Sequence, residues 1–174
     1  KAMTVHSVDS INPDRGIAGV QIEITGTGFG ASQGTGSVKI ADKTLEIIDW
    51  SENLIRVKVP EGTRPGNLSV FAAGINSNGL PVVISAITSI SNIRRPVGST
   101  LQINGYGFGS NTGFVLFGDV VATSFSTWKE DVIEVVVPEN ATGTAPVLVS
   151  SMGVRTLAVP FFVTDITGAD LDSG

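Results

Sequence analysis

Trp50 and Trp128 are the residues of this 174-residue chain best suited to hold a ligand. A planar indole offers apolar area together with a hydrogen-bonding edge, so an exposed one can stack on a sugar ring. The two tryptophans occupy matching places in a sequence that repeats itself, each followed by a Val-Pro step, Val59-Pro60 and then Val137-Pro138. Two like positions would give two similar carbohydrate contacts and a gain in avidity. Tyr106 is a third candidate: it stands where the first copy has Thr27, inside a glycine-rich turn, and an aromatic there is expected to point outward.

Catalytic chemistry finds no comparable set. His6 is the one histidine, in an expected strand near the N-terminus, and an imidazole acting as a base needs a nucleophile or carboxylate beside it in a cleft. No Gly-x-Ser-x-Gly elbow is present. With one histidine and no cysteine, a metal site built on those ligands is excluded by count. Asp165, Asp170 and Asp172 cluster near the C-terminus without the spacing of a calcium loop. Asp42 and Asp119 stand at matching places and read as hairpin-turn residues. The expectation is therefore of no catalytic residue, no metal and no cofactor. The runs Gly26-Thr27-Gly28-Phe29-Gly30 and Gly105-Tyr106-Gly107-Phe108-Gly109 superficially match a dinucleotide-binding loop. That loop must open a helix, whereas here a strand pattern resumes. The glycines read as a tight turn needing positive φ, with Phe29 and Phe108 folded into the end of a core.

Two small domains must position these groups. Ser10-Ile11 followed by Ile22 to Gly30 returns, at a constant offset, as Ser89-Ile90 followed by Leu101 to Gly109. A tandem repeat of this length predicts a first domain over residues 1–85, a second over 86–164, and an acidic, linker-like tail over 165–174. Only Ser85-Ala86-Ile87 separates the copies, with no flexible Gly/Ser tract, which suits a spacer. Hydrophobic residues make up 41% of the chain, enough for two compact cores, and 21 glycines and 8 prolines punctuate short apolar runs. Alternation in Ile22-Glu23-Ile24 and in Ile55-Arg56-Val57-Lys58-Val59 marks half-buried strands of a two-layer sandwich. Strands are predicted near 4–8, 20–25, 37–41, 44–50, 55–59, 67–72 and 80–84, and again near 87–90, 100–104, 114–117, 120–127, 132–137, 146–151 and 159–163. Seven short strands per copy and no helical period predict an all-β chain of two immunoglobulin-like sandwiches. The net charge of −5, with no basic run, argues against nucleic acid and against anionic membrane surfaces. No apolar span is long enough for membrane insertion, and the chain reads as a piece of a longer protein.

The copies differ on their outer faces. Ser37, Lys39 and Lys58 alternate out of the first sandwich, and their counterparts Phe114, Leu116 and Val136 are apolar. These three form an interface candidate, unless a bulge shifts the register and buries them.

Ile11-Asn12-Pro13, Gly19, Ile22 to Gly30, Trp50-Ser51, Ile55 and Val59-Pro60 together resemble the IPT/TIG domain, an immunoglobulin-like module. The second copy is similar through Ile90, Gly98, Leu101 to Gly109, Trp128, Ile133 and Val137-Pro138, and departs at Asn92-Ile93, where the first has Pro13. The resemblance implies that an aromatic at the Trp50 and Trp128 positions also suits a core-edge packing role, so stacking and packing both stay open there. It is specific for fold and not for function. Family members occur in transcription factors, plexins and bacterial surface or secreted proteins. The acidic balance argues against the first branch and the absence of cysteine against the second. The resemblance thus implies an extracellular or cell-surface accessory region with neighbouring domains as partners, a polysaccharide as its ligand, or a protein docked on the apolar face of the second domain.

Overall fold

The computed structural model describes residues 6–164, which form strands and turns and no helix. The chain divides into two compact units, Lys1–Ser85 and Ala86–Gly174. Asp165, Asp170 and Asp172 lie outside the described residues, as does the start of the first predicted strand.

Among its described residues the first unit has ten strands: β1 (Ser7–Asn12), β2 (Arg15–Gly16), β3 (Gln21–Thr27), β4 (Ser37–Ile40), β5 (Lys43–Thr44), β6 (Glu46–Trp50), β7 (Leu54–Lys58), β8 (Gly66–Ala72), β9 (Ile75–Asn76) and β10 (Leu80–Ile84). One sheet runs β1-β3-β7-β6, the other β2-β10-β8-β4-β5, with β9 added to β8. Period-two alternation turns Ile22 and Ile24 of β3, Ile55 and Val57 of β7, Val38 and Ile40 of β4, and Leu68 and Val70 of β8 into one fully buried core. Each such side chain contributes about 1.5–3 kcal/mol of burial free energy.

The second unit repeats the first strand for strand: β11 (Ala86–Ile90), β12 (Arg94–Pro96), β13 (Thr100–Tyr106), β14 (Phe114–Phe117), β15 (Val120–Val121), β16 (Phe125–Trp128), β17 (Val132–Val136), β18 (Val147–Ser151), β19 (Val154–Arg155) and β20 (Phe162–Thr164). Its first sheet runs β11-β13-β17-β16, the same order as in the first unit. Its second is divided: β15-β14-β18-β19 stay together, while β20 pairs with β12 and Val159, ahead of β20, bridges to Val147 of β18. Where the first core has Ile40 and Val82, this one has Phe117 and Phe161, packed edge-to-face at 5.3 Å.

Three expectations needed correction. The strands predicted at 44–50 and 120–127 are each two strands, because the chain leaves one sheet and joins the other. Leu45 and Ala122 are buried at the crossing and donate their amides to Val38 and Val115. The first strand runs to Asn12, beyond its predicted end, because its register shifts between Val8 and Ser10 and breaks the alternation that marks a strand. The last begins at Phe162, later than predicted. Also unforeseen were β2 and β12, which cross to the second sheet and pair in parallel with β10 and β20.

Among the described residues four hairpins close with two-residue loops: Ala41-Asp42, Ala73-Gly74, Gly118-Asp119 and Met152-Gly153. Ala73 has φ 48°, a left-handed conformation that costs an ordinary residue roughly 1–2 kcal/mol and that asparagine tolerates before a glycine. Ala73→Asn is expected to stabilise the first unit by about 0.5–1 kcal/mol, read as a raised urea midpoint at unchanged slope. An unchanged or lowered midpoint would contradict this account of the turn.

Candidate functional site

The turn after β3, and its copy after β13, is where the two candidate tryptophans meet the rest of the fold. Gly28 and Gly30 have φ of 80° and 85°, Gly107 and Gly109 of 73° and 72°. These glycines let the chain fold back so that Phe29 and Phe108 enter the core, 2% and 0% exposed. The turn is tied to the β6–β7 and β16–β17 loops by the amides of Phe29 and Phe108, which donate to Glu52 and Glu130. The tryptophans complete the tie. Trp50 Nε1 donates to the Phe29 carbonyl at 3.1 Å, and Trp128 Nε1 donates to the carbonyls of Phe108 and Gly109 at 3.3 and 3.2 Å. In the second copy Ser151 Oγ adds a bond to the Phe108 carbonyl at 2.6 Å. An indole has one donor and no acceptor, so the polar edge of each ring is committed within the fold. Both rings are half-buried; Trp50 packs edge-on against Phe29 and Trp128 against Phe125.

The remaining sequence candidates do not gather. Tyr106 is half-buried at the end of β13, opposite Ala86. His6 is buried, 5% exposed, just before β1. Phe114 and Leu116 lie on the outer face of β14, whereas Val136 lies on β17 of the other sheet. Val136 instead lines a cleft of about 400 Å³ with Val120, Val121, Ser124 and Glu139. Among the described residues no three acidic or imidazole side chains come together, and no helix is long and apolar enough to cross a membrane.

The outer faces carry the contrast between the units. On the β3–β7–β6 face of the first, Arg56 sits between Glu23 at 2.8 Å and Asp49 at 3.8 Å. The Glu23 carboxylate, hydrogen-bonded to Arg56, raises the guanidinium pKa above its usual range. The pair is exposed and screened, so it contributes little to stability. In the second unit Glu134 instead accepts hydrogen bonds from Ser126 and Thr127. On the opposite face of the first unit lies a groove of about 370 Å³ lined by Thr35, Ser37, Lys39, Ser69, Phe71 and Asn76. Sequence reasoning missed Phe71.

Comparison with known proteins decides the family. The model of the IPT/TIG domain matches residues 7–85. The first domain belongs to the IPT/TIG family. The second domain repeats the strand sequence of this IPT/TIG domain, β11 to β20 standing for β1 to β10. No curated protein matches the chain by sequence. Among solved structures, the chain is similar to SGBP-B from a complex xyloglucan utilization locus in Bacteroides uniformis, at 15% identity and a TM-score of 0.42, over 91% of this chain and 49% of that one. It is similar also to the plexin A4 extracellular region, at 17% identity and a TM-score of 0.44, over 92% of this chain and 18% of that one. The gamma-CGTase of Alkalophilic bacillus clarkii matches at 18% identity and a TM-score of 0.44, over 95% and 27%. The chain spans less than half the length of each. The glycine turn and its tryptophan are the parts that this IPT/TIG domain shares with the second domain, and the outer faces are the parts that differ.

Proposed function

We propose that this chain is a non-catalytic accessory region of a larger secreted or cell-surface protein, in which two IPT/TIG-type sandwiches space neighbouring domains and offer an outer face to a glycan. The observation that carries the reading is the duplicated tryptophan lock. Both indole N–H groups donate to carbonyls of the turn beside them, in the same way in both domains. Residues whose types promised chemistry therefore serve the frame. A ligand is left to the outer faces, where the two domains diverge.

The test pairs acrylamide quenching of tryptophan fluorescence with a reducing-end assay on soluble polysaccharides. Partly shielded indoles that ignore added polysaccharide, and no release of reducing ends, are expected. Shielding of the indoles by a polysaccharide would place the ligand on Trp50 or Trp128 and sink the lock argument, and release of reducing ends would overturn the non-catalytic reading.

A second reading, docking of a protein on the second domain, is favoured by one observation. Phe114 is 60% exposed, and Leu116, Leu148 and Val121 share its sheet face.

A further inference from the structure

We propose that the outer face of the first domain is a carbohydrate-binding groove centred on Phe71, with Lys39 selecting sugars that bear a carboxylate. The inference rests on the accessory reading above and gives it a site. The register of the sheet builds the groove. Phe71 on β8 is the Cα partner of Ser37 on β4 and of Asn76 on β9, so the ring is flanked on one side by a hydroxyl and on the other by an amide. One row along, Lys39 faces Ser69 on one side and Thr44 on the other. Strands stand about 4.8 Å apart and alternate residues about 7 Å apart, so one sugar seated on Phe71 meets Ser37 and Asn76 while its neighbour in the chain meets Lys39 and Ser69. The aromatic face takes the C–H face of a sugar ring. Hydroxyl and amide groups both donate and accept, which matches the mixed rim of sugar hydroxyls. Lys39 donates only, and no carboxylate is among the groove's lining residues, so the charged group there is best met by a uronate.

The second domain supplies an internal control. Its equivalent rows are Phe114–Ser150–Arg155 and Val121–Leu116–Leu148. The aromatic has moved to the neighbouring strand, and the row that holds Lys39 and Ser69 in the first domain has become aliphatic. That face lacks the flanking hydroxyl and amide around a central ring.

The experiment is affinity electrophoresis of the 174-residue chain in gels containing polygalacturonate or neutral mixed-linkage β-glucan. Net charge of −5 opposes a polyanion, so retardation by polygalacturonate reports a local contact and not bulk attraction. Polygalacturonate is expected to retard the chain more than the glucan does. Phe71→Ala should weaken retention about tenfold, Phe71→Trp should keep it, and Phe114→Ala should leave it unchanged. Ser69→Glu, which sets a carboxylate beside Lys39 while leaving Phe71 in place, should weaken retention by polygalacturonate as much as Phe71→Ala does. Lys39→Met should remove the preference for polygalacturonate over the glucan. No retardation by either polymer, or full retention by Phe71→Ala, overturns the groove. Equal retention of the unmodified chain by both polymers overturns the role of Lys39. Loss on Phe114→Ala with none on Phe71→Ala would leave glycan binding standing and move it to the second domain.

Discussion

Gly105→Ala is expected to cost the second domain about 3 kcal/mol or more, the upper range for forcing atoms into a filled site. A Cβ at this position would lie 2.1 Å from the Ala86 carbonyl oxygen and 2.3 Å from Phe108 Cζ. The same holds in the first domain, where a Cβ on Gly26 would lie 2.0 Å from the Ser7 carbonyl oxygen and 2.5 Å from Phe29 Cζ. The requirement is for space and not for an unusual backbone angle. These glycines lie in β3 and β13 where the edge strand β1 or β11 passes closest and the turn phenylalanine fills what remains. The aromatic tip can retreat, but the backbone oxygen belongs to a paired strand and cannot. Gly105→Ala combined with Phe108→Leu is therefore expected to be no more stable than Gly105→Ala alone. Urea denaturation followed by circular dichroism reads both, and a midpoint for Gly105→Ala near that of the unmodified chain would disprove the close approach.

Phe108→Ala is the second large effect, at about 3–5 kcal/mol by the usual cost of emptying a buried phenylalanine site. The ring is wholly buried, inside a cluster that includes Leu101, Ile103, Val135 and Phe161. Collapse around the void is restricted, because the turn backbone stays pinned by Trp128 and Ser151 to the Phe108 and Gly109 carbonyls. A rigid rim keeps the cavity open, and the larger the residual cavity the larger the cost. Phe29→Ala should cost somewhat less, because the first domain has Ala72 where Ser151 stands and its turn can relax further. The comparison is a pair of denaturation midpoints; equal losses in the two domains would remove the argument from the serine.

Much of the frame was legible in the sequence because inward residues of β3, β7, β13 and β17 alternate cleanly, Ile22 with Ile24 and Ile133 with Val135. Legibility failed where a strand changes sheet. Thr44 to Trp50 reads as one run, yet Leu45 turns inward between two sheets, and no local pattern distinguishes that from an unbroken strand. The short parallel strands β2 and β12 were hidden for a related reason: Arg15-Gly16 and Arg94 to Pro96 have no alternation to detect and are strands only by virtue of distant partners. The tryptophans drew attention by type and spacing, but the acceptors of their N–H groups lie in another part of the chain. Phe71 passed unnoticed inside Leu68-Ser69-Val70-Phe71-Ala72, an apolar run in which only the pairing with Ser37 and Asn76 shows it flanked by polar groups.

The parallel pairs have a mechanical meaning. In each domain the strand entering near the start, Arg15–Gly16 or Arg94–Pro96, lies alongside the strand leaving at the end. The Val83 amide donates to the Asp14 carbonyl and the Ser85 amide to the Gly16 carbonyl in the first domain, and the Phe162 amide donates to the Ile93 carbonyl in the second. When tension is applied through the two ends of a domain, parallel strands slide along each other instead of peeling apart. Their hydrogen bonds are then loaded in shear and share the force, whereas a terminal hairpin would break one bond at a time. Each of the two units thus carries a parallel pair that such tension would load in shear.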